Sequence, residues 1–211
     1  MQDLDGTIGQ GRGEPDWLRA EREYEDEVDG DDTLGELFVA SARRNGRRDA
    51  QWYKGGVYEQ SLAGDILPEA PEGEYGSLSY ERMHEIVKHL ATGFRDLGVA
   101  ADTRVGLFAS TRMEWALTDF AVLSAGGVVT TVYTESSAEQ VQYLLDDPDA
   151  AGVVVENAEL LERLLTVEDD LDLSFIVAID EVDGYDDRDD VHTLAAVHER
   201  GSEAFDETTY D

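Results

Sequence analysis

From Ser77 to Asn157 the apolar positions switch repeatedly between the three-and-four spacing of a helix and the short continuous runs of a strand. Met83, Ile86, Val87, Leu90, Phe94 and Leu97 make one apolar stripe, Ser79 stands where an N-cap belongs, and Gly98 supplies a left-handed stop. A strand is predicted over Arg104–Ala109. Thr111 and Glu114 have the spacing of a capping box, which predicts a helix from there to just before Gly126. A strand over Val128–Tyr133 follows. Ser136 with Glu139, or Ser137 with Gln140, offers a second box ahead of Val141, Leu144 and Leu145, and Pro148 stops that helix before a strand over Gly152–Val155. Helices that alternate with strands in this way predict an α/β fold with a mostly parallel sheet.

The flanks are less regular. Thr33 and Glu36 suggest a capping box for a helix with Leu34, Leu37, Phe38 and Ala42 inward, and Ala50–Tyr53 reads as a short strand. Residues 54–76 contain a KGG run, two prolines and an EGEYG turn, so a surface loop or loose hairpin is expected. After Asn157, Leu160, Leu161, Leu164 and Leu165 mark a short helix, Phe175–Ile179 a buried strand, and Thr193–Arg200 a last helix. Residues 1–30 are rich in glycine and charge and read as a flexible acidic arm, with Trp17, Leu18 and Tyr24 as possible docking points. The expected organisation is this arm, one αβα unit over 31–200, and a connection over 201–211.

Composition narrows the function classes. The chain has 211 residues and a formal charge of −33, and its lysines are Lys54 and Lys88 alone. Such a surface repels nucleic acid and anionic membrane, which excludes polyanion binding and leaves at most peripheral membrane contact. Because the acids occupy solvent positions of well-patterned helices, a high-salt cytoplasm explains them better than disorder or a cation store. There is no cysteine, which removes disulfides, thiolate metal sites and a cysteine nucleophile. No apolar run approaches the roughly 20 residues of a membrane span and no secretory leader is apparent, so a cytoplasmic location is expected.

The order DDTLGELFVASARRN, SLSYERMHEIVKHLATGFRDLGV, RVGLFAS, RMEWALTDFAVLSAGGVV and VYTESSAEQVQYLLDDPDAAGVVVEN resembles the amino-terminal part of AMP-forming acyl-CoA synthetases, above all the long-chain fatty acid to CoA ligases. The resemblance covers about Asp32 to Asp180. It implies the first αβα subdomain of the large domain of adenylate-forming enzymes. The implied chemistry has two steps: a fatty carboxylate attacks ATP to give an acyl-adenylate, and the thiol of CoA then displaces AMP. The family's phosphate loop, of the form Ser-Gly-Thr-Thr-Gly-x-Pro-Lys-Gly, does not occur in these residues, nor do its downstream magnesium, ribose and lysine segments. No catalytic, cofactor-binding or metal residue of the family can therefore be carried onto this sequence. The expectation is an amino-terminal fragment, inactive alone, with no cofactor of its own; the parent would use ATP, Mg2+ and CoA. Its partners would be the rest of the ligase chain or a homodimer partner. The competing reading is a non-catalytic α/β interaction or dimerisation module. A phosphoacceptor receiver domain is excluded, since it needs a lysine after its fifth strand and none follows Lys88.

Other features invite chemistry, but each has a simpler account. Thr130, Thr131, Thr134, Ser136 and Ser137 resemble a phosphate loop without its glycine or lysine; capping and strand packing explain them. Gly9, Gly11 and Gly13 lack the strand and helix of a dinucleotide fingerprint. Gly126 and Gly127 fit a helix C-cap. Asp180, Glu181, Asp183, Asp186, Asp187, Asp189 and Asp190 do not keep calcium-loop spacing around Gly184, so a solvated loop is expected. His84 and His89 are not on one helical face, and His192 and His198 have no ligand spacing. Trp115 is expected to pack on the sheet.

Overall fold

The computed structural model describes residues 15–28, 33–56, 62, 66–68, 70–185 and 187–206. The chain divides into an amino-terminal unit, residues 1–33, and a main unit, residues 34–211. The glycines of the expected arm, Gly9, Gly11 and Gly13, and Asp186 of the acidic loop lie outside the described residues.

The amino-terminal unit holds helix α1 (Asp16–Val28), where the sequence reading expects an arm without regular structure. Its residues are mainly Glu, Arg, Ala and Leu, which favour helix, and Arg19 bridges to Asp16 at 2.6 Å one turn earlier. Trp17 is exposed.

The main unit opens with α2 (Leu34–Asn45), one residue after Thr33. Strand β1 (Asp49–Lys54) then pairs antiparallel with β2 (Tyr75–Ser79), so the expected loop over 54–76 ends in a hairpin. Strand β2 escapes a reading by periodicity because Leu78 is its one fully buried side chain, while Gly76 lets the Tyr53 ring lie across the backbone. The Tyr53 hydroxyl donates to the Pro68 carbonyl.

Helix α3 (Tyr80–Asp96) starts at the Ser79 cap, whose hydroxyl accepts the Arg82 amide at 3.2 Å, and stops at Gly98 with φ +101°. There follow β3 (Arg104–Phe108), α4 (Met113–Ser124), β4 (Val128–Val132), α5 (Ala138–Asp146), β5 (Gly152–Val155) and α6 (Ala158–Leu165). Of the two boxes open for α5, Ser137 with Gln140 is the one formed, at 3.3 and 2.9 Å. Gly126, with φ +94°, closes α4 as expected. A 3₁₀ turn (Glu168–Asp170), β6 (Phe175–Ala178), β7 (Val191–Thr193) and α7 (Leu194–Ala204) complete the unit. The last helix runs past Arg200, its expected end, to Ala204. Gly201 sits inside the helix at a close crossing, since a Cβ there would lie 1.8 Å from the His89 carbonyl oxygen.

Strands β3 to β7 form one parallel sheet in the order β4-β3-β5-β6-β7. Alternate strand residues feed two cores. Val105, Leu107, Val154, Val177 and Ile179 meet α2, α3, α4 and α7 on one face, while Phe108, Val132, Val153, Val155, Ile176 and Ala178 meet α5 and α6 on the other. The architecture is the expected three-layer αβα sandwich. Coverage on both faces explains why β5 and β6 are buried at every position, as parallel strands usually are.

Candidate site at the carboxyl edge of the sheet

The strand order fixes where to look. From β3 the chain steps outward to β4 and then returns to place β5 on the other side of β3. Open α/β sheets bind ligands in the crevice outside the carboxyl ends of the strands at such a reversal. Three segments meet there: Ala109–Met113 after β3, Glu156–Asn157 after β5, and Ile179–Glu181 after β6.

At their meeting point lies the guanidinium of Arg112, fully removed from solvent. It donates to both carboxylate oxygens of Glu114, at 2.9 and 3.2 Å, and its Nη1 lies 2.8 Å from Asp180 Oδ1 and 3.8 Å from Glu156 Oε1. Glu156 in turn accepts the Ser110 amide at 2.6 Å. A buried charge is tolerable only when paired and hydrogen-bonded, and here one cation answers three carboxylates. Burial pushes the Asp180 carboxyl above the usual range, with Glu156 and Glu114 adding repulsion and Arg112 opposing the rise. The Arg112 guanidinium is held even more firmly in its charged form by Glu114 and Asp180, against the cost of its burial.

This cluster corrects the sequence reading at two points. Helix α4 is not opened by a box of Thr111 and Glu114: its N-cap is Arg112, which makes no side-chain cap bond, and the Glu114 carboxylate is held by the guanidinium. Asp180, read as part of a solvated acidic loop, faces Arg112 from the end of β6. Arg112 and Glu114 are neighbours in sequence, but Glu156 and Asp180 reach them only through sheet topology. The available signal was the run of charged residues directly after consecutive strands, which a search by capping pattern alone passes over.

Of the hydroxyl-rich run, Ser137 takes the capping role expected of it. Thr131, Tyr133 and Ser136 line an open cleft of about 430 Å3 beside the edge strand β4, together with Glu139, Gln140, Tyr143 and Leu144. The nearby cation, Arg163, donates to the Thr134 and Ser136 carbonyls at 2.5 and 3.0 Å and to Glu159 at 3.0 Å. It braces the turn into α5 from α6. In the rest of the acidic loop Glu181, Asp183, Asp187 and Asp189 are exposed, as expected. Asp190 pairs at 2.5 Å with Arg188, which also holds Glu168 in the 3₁₀ turn.

The histidines are distributed in a way their spacing conceals. His84 meets the Phe38 ring edge-on at 6.1 Å, and Trp115 packs half-buried on the core as expected. His89 of α3 and His198 of α7 stack edge-to-face at 5.1 Å, with Phe205 5.5 Å from His89 and Lys88 4.6 Å from the Phe205 ring. Burial foremost, helped by His89 and Arg82 and opposed by Glu85, pushes His198 down to about 4. Among the described residues no group of three or more His, Cys, Asp or Glu side chains could hold a metal ion, and no helix is long and apolar enough to cross a membrane.

Comparison with known proteins agrees with this architecture. A family model described as AMP-binding enzyme matches residues 50–206. The long-chain-fatty-acid–CoA ligase FadD15 of Mycobacterium bovis is 44% identical over 70 residues, 33% of this chain and 12% of that one. The long-chain-fatty-acid–CoA ligase ACSBG1 of Rattus norvegicus is 31% identical over 130 residues, 62% of this chain and 18% of that one. The match thus spans less than a fifth of either relative. Among solved structures, a long-chain-fatty-acid–CoA ligase of Archaeoglobus fulgidus superposes with a TM-score of 0.66 at 20% identity, over 82% of this chain and 31% of that one. The adenylation domain of a carboxylate reductase from Mycobacterium chelonae gives 0.65 at 18% identity, over 96% and 38%. At these identities the structures show a shared fold.

Proposed function

Because this chain belongs to the AMP-binding enzyme family, we propose that it supplies the first αβα layer of an ATP-dependent, AMP-forming ligase that joins a long-chain fatty carboxylate to CoA. The observation that carries the substrate class is the name shared by the ligases it resembles in sequence, which are 44% and 31% identical over their matched stretches. The reaction in view is acyl-adenylate formation followed by thioester formation. A non-catalytic interaction module built on the same fold is the lesser reading.

On this reading ATP, Mg2+ and CoA are held by the rest of the ligase, not by these residues. The carboxylates gathered at the crevice surround Arg112 and leave no triad for a cation among the described residues. The phosphate-loop pattern is missing from the sequence, and beside β4 the Ser137 hydroxyl caps α5 while the Thr134 and Ser136 backbone carbonyls accept from Arg163. What these residues contribute is therefore the shape and rigidity of one wall. We infer that the 211 residues alone do not adenylate and that their partner is the remaining part of such a ligase. The acidic surface fits a high-salt cytoplasm.

The test is to express the open reading frame that carries these residues and to assay palmitate with ATP, magnesium and CoA at high salt. Palmitoyl-CoA formation well above that with acetate is expected. Thioester formation that favours acetate, or none with any acid, would overturn the reading.

A further inference from the structure

We propose that Arg112 is a positioning residue that locks the segments after β3, β5 and β6 into one rigid rim at the crevice; that the rim borders substrate rests on the ligase reading above. Its place is unusual for a cation. The guanidinium is fully buried at the one point of the sheet where the chain reverses direction, and it reaches a carboxylate from each of the three segments: Glu114 at the start of α4, Glu156 after β5 and Asp180 after β6.

The contacts form a closed circuit. Arg112 holds Glu114 two-fold, Glu156 takes the Ser110 amide from Arg112's own segment, and the Asp180 amide donates at 2.9 Å to the Glu156 carbonyl. Beyond the last ladder bonds, these contacts tie the strand ends to one another. A planar, five-donor fork can face several acceptors at fixed angles, which the single ammonium of lysine cannot. Nothing about stability alone calls for this arrangement, since apolar residues of similar volume usually stabilise as well as a buried ion cluster. A charged circuit instead restricts how the three segments can move relative to one another, which is what a binding wall requires.

Amide hydrogen exchange on the intact 211-residue chain reads this directly. In Arg112→Lys the Ser110 and Asp180 amides are expected to exchange at least about tenfold faster, while Leu107 and Val154, inside β3 and β5, change little. Should that variant fail to fold, the neutralised cluster Arg112→Met with Glu114→Gln, Glu156→Gln and Asp180→Asn keeps the volume without an unpaired buried charge, and the same pattern is expected. Equal acceleration at all four amides, or none, would overturn the positioning role.

A second arm uses the open reading frame. If the parent protein makes palmitoyl-CoA, Arg112→Lys should lower kcat/KM for the fatty acid about tenfold or more with KM for ATP unchanged. Activity equal to wild type would overturn the functional part of the proposal. A parent without ligase activity would instead overturn the ligase reading, while the exchange data still decide whether Arg112 locks the rim.

Discussion

Asp180 and His198 are displaced from their usual titration ranges by burial, in opposite senses for an acid and a base. For Asp180 the folded chain disfavours the ionised form, so its contribution to stability is full below the ordinary carboxylate range and is lost as pH rises through its raised value. Asp180→Asn should therefore leave the melting temperature at pH 7 equal or higher, with the difference from wild type vanishing in acid. A lower melting temperature at pH 7 would show that the Arg112 contact outweighs burial and repulsion. For His198 the unfolded chain binds a proton between pH 6.5 and about 4 that the folded chain refuses, so stability is lost as pH falls through that window. His198→Gln should flatten the pH dependence of the urea midpoint there. An unchanged slope would place the titrating group elsewhere.

At the scale of elements, the firmest packing joins α3 to sheet and to α7. Phe94 is completely buried and lies 6.4 Å, ring to ring, from Phe175 of β6. Phe94→Ala should cost about 3–5 kcal/mol in chemical denaturation, and an unchanged midpoint would misplace the buried face of α3. Gly93 and Gly201 let α3 and α7 cross with almost no gap: a Cβ on Gly93 would fall 2.1 Å from the Val197 carbonyl oxygen. Gly201→Ala should cost about 2–3 kcal/mol, while Ser202→Ala on the exposed side of α7 should be near neutral. Equal effects of the two would show that the crossing is not tight.

The elements legible in sequence were those whose signal is local. The stripe of α3 between Ser79 and Gly98, the box at Ser137 and Gln140, and the four-residue runs of β5 and β6 each carry their own start, stop or period. The strands β2 and β7 were missed because five and three residues, with few inward side chains, hold no period; pairing defines them. The last helix outran its expected end at Arg200 because Gly201, a residue that ordinarily weakens a helix, sits inside it at the close crossing with α3. The Arg112 cluster was illegible for a related reason. Thr111 and Glu114 satisfy a three-residue capping rule, whereas the partners that claim the site, Glu156 and Asp180, are joined to it only by parallel pairing. The same holds for His89 and His198, brought together by the α3–α7 crossing.

For the whole molecule, 49 acidic residues against 16 basic ones produce self-repulsion that salt screens over distances of about 10 Å at 0.1 M and 3 Å at 1 M. The melting temperature should rise steeply with KCl towards molar concentrations. Full cooperative stability in low-salt buffer would remove the argument for a high-salt habitat. The same three-layer fold is shared with a long-chain-fatty-acid–CoA ligase and with the adenylation domain of a carboxylate reductase. Under the proposed function, the first half-reaction is the most direct readout. The decisive measurement is fatty-acid-dependent exchange of labelled pyrophosphate into ATP by the product of the open reading frame, with the 211-residue chain alone as control. The account predicts exchange with palmitate for the former and none for the latter. Exchange by the 211 residues alone, or its absence from the full product with every carboxylic acid tried, would contradict it.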